Sequence, residues 1–466
     1  MESYLTQDRA EPEAGCGANS VSDTEGDGRT VQHDLVEEVV SWSNLEAALK
    51  QVVSNRGAPG VDGMTVDELG PWLETNYSEL AEKVRNGRYR PNPVRRKEIP
   101  KPNGGVRDLG IPTVVDRLLQ QAVSQVLMPI YEPSFSDTSY GFRPGRSAHD
   151  AIQKAKEYLS EGFGYVVDLD LARFFDTLNQ DYLMNILRER VRDKALLELI
   201  KRFLRSGVVL PNGLLRETRE GSPQGGPLSP LLSNIYLDRF DKLLESRGLR
   251  FVRYADDCLV FVRTPRAGER VRESVTRYLE GTLRLRVNQE KTVVGRADQV
   301  KFLGFRLYRQ KTVGATVHDS SLARFRKEVR RITKRNRGTS LGSVLTELKT
   351  FTRGWVGYFR IGLSKSRAEK LDGWIRQRVR QYIFKQWKTL RNRASQLVSL
   401  CPDYLRPRPG FTPYSWVREC RRAAFSRSYW KAVNYPVVKR ALSNSYLAGL
   451  GLYSLSEQLE KWNKGV

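Results

Sequence analysis

The sequence predicts an α+β fold: helices mixed with short antiparallel strands, followed by a basic, mostly helical C-terminal third. Three observations carry this expectation. Apolar residues recur every three or four positions in several stretches, as on one face of a helix. Two short apolar runs, 165–171 and 251–262, have strand length and are each interrupted by two aspartates. From residue 321 onward helical periodicity continues while Lys and Arg accumulate.

Taken in order, residues 1–34 are rich in Gly, Ser, Asp and Glu and read as a disordered acidic tail. Leu35, Val39, Trp42, Leu45, Leu49 and Val52 then predict a helix, ended by a Gly/Pro-broken loop at 55–63. A second helix is expected around 67–86. Residues 91–107 read as a basic hairpin. Helices follow at 114–130 and 147–160, then the strand 165–171. Helices at 179–205 and 228–246 flank the loop Glu220–Pro227, and 251–262 reads as a hairpin with acids at its bend. Lys301–Tyr308 predicts one more strand, and the Pro-rich segment 401–415 an irregular insert.

The composition narrows the function. The 466 residues carry 78 Lys+Arg against 53 Asp+Glu, a net charge of +25. Residues 1–40 hold ten acids and two bases, whereas 321–466 hold 32 bases and eight acids. A charge so one-sided, in a region holding six of the eight tryptophans, predicts a nucleic-acid partner. Aromatics among arginines can stack on unpaired bases, although most such tryptophans serve as core. Four scattered cysteines and three histidines give no zinc or disulfide spacing. No secretory signal or membrane-length apolar run is evident, so a cytoplasmic protein without membrane contact is expected.

The aspartates carry the chemistry. Asp256 and Asp257 break one apolar strand pair, and Asp168 and Asp170 break another strand, on one of its faces. Clustered carboxylates in apolar strands cost several kcal/mol unless a cation compensates them. Hard divalent ions with oxygen ligands, Mg²⁺ or Mn²⁺, suit such a set. Two ions together can clamp the attacking and leaving oxygens of a phosphoryl transfer.

Tyr254-Ala255-Asp256-Asp257 resembles the Y-x-D-D box of reverse transcriptases, and with Cys258 it is similar to the form found in enzymes encoded by group II introns. Arg107–Arg117, Ser139–Ser147, Gly221–Leu232 and Gly354–Phe359 resemble further blocks of that family, in the same order; the loop at 55–63 resembles its N-terminal extension. The resemblance implies a right-hand polymerase, with fingers and an antiparallel palm, followed by a helical thumb or maturase domain. It implies an N-terminal extension at 35–90, fingers and palm at 91–310, thumb at 311–400 and a basic nucleic-acid-binding region at 401–466.

The resemblance also implies roles. Asp170, Asp256 and Asp257 are expected as catalytic acids, and with Leu171 as the holders of two Mg²⁺ ions, with Mn²⁺ as the alternative. Asp168 is expected to play a supporting part. Lys101 and Arg107 would grip the incoming triphosphate, a point charge beside a bidentate fork. Phe175 would exclude the ribose 2′-OH, Gln224 would contact nucleotide or template, and Lys291 would approach the phosphates. Partners implied are the intron RNA, an RNA template with DNA primer, and dNTPs. The function implied is an RNA-dependent DNA polymerase that is also its intron's maturase. A domesticated relative in repair or defence, or a binding-only maturase, is the alternative. An endonuclease domain is not expected. In 364–388, Leu371, Trp374, Ile375, Val379, Ile383 and Trp387 form a packing stripe, leaving Arg376, Arg380 and Lys385 for phosphate.

Overall fold

The structure, a computed structural model, describes residues 22–25, 29–32, 34–100, 106–223, 225–401 and 413–464, with the backbone alone for 22–32 and for Arg107. Its residues form two compact units, which divide at Arg296/Ala297.

In the first unit a central sheet of four antiparallel strands runs in the order Val293–Arg296, Tyr165–Leu169, Asp257–Val262, Arg250–Tyr254. Side chains alternate across it. Val167, Leu169, Phe251, Cys258 and Val260 point into one continuous core shared with helices Val114–Tyr131 and Ser229–Ser246. Val166, Asp168, Val252, Leu259 and Phe261 occupy the other face, where Phe261 meets Tyr158 of helix Ala148–Ser160 at 5.5 Å. The basic hairpin forms as expected, Val94–Pro100 against Val106–Ile111, and is extended by two short strands at 208–209 and 215–216.

Several expected elements are cut differently, each for a local reason. The helix expected through 35–52 is two, Leu35–Val40 and Trp42–Ser54. Ser41 turns extended between them and accepts the amide of Asn44, as an N-cap residue does. The stretch 179–205 also divides, into Gln180–Arg188 and Lys194–Leu204. Asp193 is the divider: one carboxylate oxygen caps the second helix at Leu196 N (3.0 Å) and the other takes Val36 N (2.7 Å). The N-terminal tail, expected to lack structure, holds a short ribbon pairing Ser22–Glu25 with Arg29–Gln32.

Buried Asp116 accepts the hydroxyls of Thr113 (2.6 Å) and Tyr89 (2.7 Å) and the amide of Asn92 (3.1 Å). Burial outweighs these bonds and pushes its carboxyl up to about 6. A raised carboxyl pKa favours the fold below the unfolded value near 4, and that contribution is lost as pH rises through 6. Between pH 4 and 7 the wild type should therefore lose roughly 2–3 kcal/mol of stability relative to Asp116→Asn. Urea midpoints across that range check this; parallel curves would contradict it.

The second unit opens on a three-stranded antiparallel sheet, Lys301–Phe302, Phe305–Arg309 and Val313–Val317. The single strand expected at Lys301–Tyr308 is thus a tight hairpin, because Leu303 (φ 49°) and Gly304 (φ 83°) turn left-handed between paired Phe302 and Phe305. Helices follow, the longest being Leu341–Phe359 and Lys365–Gln386. Phe325, Trp355 and Phe359 stack in series, with centroids 4.3 and 4.8 Å apart. Of the tryptophans here, Trp416 is fully buried and Trp430 is 50% exposed. Most of the segment expected to be irregular, 402–412, lies outside the described residues, and helix Pro413–Ala424 begins within its end. Arg380 is a correction. It does not stand free for phosphate but is buried, donating to Leu442 O (2.8 Å) and Asn444 Oδ1 (3.0 Å).

Candidate active site

The site forms where three strands of the central sheet end together. The pairing Asp168↔Leu259 and Leu169↔Cys258, continued by one residue, sets Asp170 against Asp257. The pairing Val293↔Asp168, continued the other way, sets Lys291 against Asp170. The Lys291 ammonium indeed lies 3.5 Å from Asp170 Oδ2. Backbone contacts hold Asp170 in place: its amide donates to Thr292 Oγ1 (3.2 Å) and its carbonyl accepts Asn288 N (2.8 Å). The next residue, Leu171, bridges Val287.

Asp256 sits in the two-residue turn between paired Tyr254 and Asp257. Ala255, the first turn residue, is left-handed at φ 58°, which costs an L-residue about 1–2 kcal/mol. Asp256 is half-buried and Asp257 exposed, so neither carries the full burial cost that the apolar flanks predict. Asp168 is also half-buried, but its carboxyl is the one displaced. Burial, then the charges of Asp257 and Asp170, push its carboxyl up to about 7. Three carboxylates on one face thus oppose one another's ionisation.

Among the described residues no three acids, histidines or cysteines already stand at metal-coordinating spacing. The all-oxygen donor set still fits Mg²⁺. That ion is held by one or two carboxylates plus water and substrate phosphates rather than by a closed protein cage.

Phe175 is the second residue of a short helix, Phe174–Thr177, and packs edge-on against Phe174 at 5.2 Å. The loop that follows Glu220 is tied to this short helix. Ser222 N donates to the Phe175 carbonyl (2.6 Å) and Gly221 N to Leu178 O (2.8 Å). Gly221 has φ 81°, and a methyl group there would collide with the Phe175 carbonyl, so this glycine sets the approach. Arg107 pairs with Ile99 in the basic hairpin. Lys101 and Gln224 lie outside the described residues.

Residues that the sequence reading passed over stand behind the turn. Arg253 and Asp241 form a buried pair, with Nε to Oδ1 at 2.7 Å and Nη2 to Oδ2 at 2.6 Å. The signal available was an arginine inside an apolar strand, and an Asn234–Asp241 spacing of two helical turns.

With this geometry in view, residues 99–307 match the family described as "Reverse transcriptase (RNA-dependent DNA polymerase)", and residues 322–399 match "Group II intron, maturase-specific domain". The protein YkfC of Escherichia coli is 37% identical over 309 residues, covering 58% of this chain and 81% of that protein. The chain belongs to the group II intron reverse transcriptase/maturase family. The group II intron-encoded protein LtrA of Lactococcus lactis is 30% identical over 55% of this chain and 54% of its own length, so the chain matches about half of that relative. A putative COX1/OXI3 intron 2 protein of Saccharomyces cerevisiae is 35% identical over 44% of this chain and 24% of its own. Family membership brings the enzyme class, RNA-directed DNA polymerase, and the right-hand α+β architecture with a helical C-terminal domain. Reverse transcriptase domains generally use divalent metal ions, and the two matched domains imply binding of nucleic acid, including intron RNA. No described helix is long and apolar enough to cross a membrane.

Proposed function

We propose that the chain extends a DNA primer on an RNA template at the Asp170/Asp256/Asp257 strand ends, and that it binds the RNA of the intron encoding it for splicing and mobility. The observation that carries the polymerase reading is the shared register of three strands, which sets Asp170, Asp257 and Lys291 at one edge with Asp256 at the adjoining turn.

The primer 3′-OH attacks the α-phosphate of the dNTP; a new P–O bond forms, the bond to the leaving pyrophosphate breaks, and the hydroxyl proton passes to solvent water. Asp170, Asp256 and Asp257, with the Leu171 carbonyl, would hold two Mg²⁺ ions, which supply charge neutralisation to both oxygens. Lys101 and Arg107 orient the triphosphate. Phe175 closes the pocket against a ribose 2′-OH, and Gln224 contacts nucleotide or template. Lys291, poised beside Asp170, donates a proton to the departing pyrophosphate. We assign fingers and palm to 91–310, thumb to 311–400 and the basic nucleic-acid-binding region to 401–466, following the N-terminal extension at 35–90. A bacterial cytoplasmic setting suits these substrates.

For the RNA, the second unit offers a cavity of about 620 Å³ on helix Lys365–Gln386. Lys370, Trp374, Arg376, Gln377 and Lys439 line it and no acid does. A base can stack on Trp374 while its phosphates meet the cations. The Lys370→Glu/Arg376→Glu variant should bind a 5′-labelled intron RNA roughly tenfold more weakly at 0.1 M salt. Its log Kd–log[salt] slope should also be shallower, by about 0.7 per lost contact. An unchanged slope would place the RNA elsewhere.

The polymerase reading is tested by primer extension with purified chain, an RNA template, an annealed DNA primer, dNTPs and Mg²⁺. Extension is expected. Folded protein that retains RNA binding but extends nothing would overturn it in favour of a binding-only maturase.

A further inference from the structure

The turn that carries Asp256 is strained, exposed on one side, and part of no helix. Something must hold it. Its residues alternate faces, so Asp257 looks toward the site while Arg253, two residues before the turn, looks into the core behind it. The Arg253 guanidinium is 1% exposed and donates through Nη1 to the Ala255 carbonyl (3.0 Å) and to Asn234 Oδ1 (3.0 Å). Asn234, also 1% exposed, donates onward to the Gly141 carbonyl (2.9 Å). Gly141 presses on the turn so closely that a methyl group there would collide with the Ala255 amide. The backbone flanking Arg253 is pinned as well: its amide donates to Thr138 O and its carbonyl accepts Tyr140 N, both at 2.9 Å. Asp241, 0% exposed, supplies the countercharge through both oxygens.

We infer that Arg253, anchored by Asp241 and Asn234, is a positioning residue that fixes the left-handed Ala255 turn and thereby the Asp256 and Asp257 carboxylates. A buried ion pair by itself is poor evidence of a stabilising role, since apolar replacements of similar volume are often as stable. What an apolar pair cannot do is donate to a turn carbonyl. That separates positioning from mere support of the fold.

The test uses the full chain. Arg253→Met/Asp241→Leu together remove both charges, and Asn234→Ser leaves the ion pair intact but cuts the tie to Gly141. In each, kcat for primer extension should fall about 30-fold and the half-saturating Mg²⁺ concentration should rise several-fold. The Kd for primer–template should stay within twofold and the thermal midpoint should hold. Amide hydrogen exchange over 250–262, read without nucleic acid, should quicken at least tenfold at residues 254–258 alone. Wild-type kcat, Mg²⁺ midpoint and exchange in the folded variants would overturn the inference. If the double variant does not fold, Asn234→Ser decides by the same criteria. The inference rests on the polymerase reading for its kinetic arm only. A wild type that extends nothing would sink that reading, while the exchange arm would still judge the turn.

Discussion

Primer extension by Asp256→Ala or Asp257→Ala is expected to fall by about 10³-fold, about 4 kcal/mol of lost transition-state stabilisation. Both residues sit where the sheet ends, one half-buried and one exposed, so the loss should come without unfolding. For Asp257→Ala the thermal midpoint at pH 7 should hold or rise slightly, because the Asp257 charge is one of those opposing ionisation of Asp168. Single-turnover extension alongside calorimetry reads both effects. An Asp257→Ala enzyme with wild-type kcat would remove the carboxylate pair from the mechanism, and the strand-end site with it.

The second large effect concerns the choice of sugar. Phe175→Ala should raise the incorporation of ribonucleotides relative to deoxyribonucleotides by roughly 10–100-fold, the range that one removed apolar contact commands in a pocket. The kcat for dNTPs should change much less. The ring is half-buried and braced by Phe174, and its backbone is held by Ser222 and the close approach of Gly221. The alanine variant keeps those backbone bonds, so the pocket widens without losing its floor. Competing single-nucleotide incorporation measures the ratio; an unchanged ratio would move the discriminating contact to another residue.

How much of this was readable beforehand depended on the range of the interaction. Asp168, Asp170, Asp256 and Asp257 stood out because a carboxylate in an apolar strand is costly wherever the strand packs. Helix Val114–Tyr131 matched its periodic pattern almost to the residue, since one face of it lies in the core along its whole length. By contrast, Ser41 and Asp193 broke expected helices. In each the side chain captured a backbone amide, and for Asp193 the second amide belongs to Val36, 157 positions away. Arg380, off the packing stripe, looked like a phosphate contact. Its true partners, Leu442 and Asn444, come from later in the chain.

The amino-acid sequence by itself determined the α+β class, the basic C-terminal third, the strands that carry the acids and the family, because periodicity, charge and short motifs are local properties of the chain. Only the tertiary structure decided which acids share an edge, that the Asp168 carboxyl is the one displaced, and that Arg253 reaches beneath the turn to Asp241 and Asn234. Those are matters of strand register and of which face meets which helix. A one-residue slip would invert every one of them without altering a single local signal.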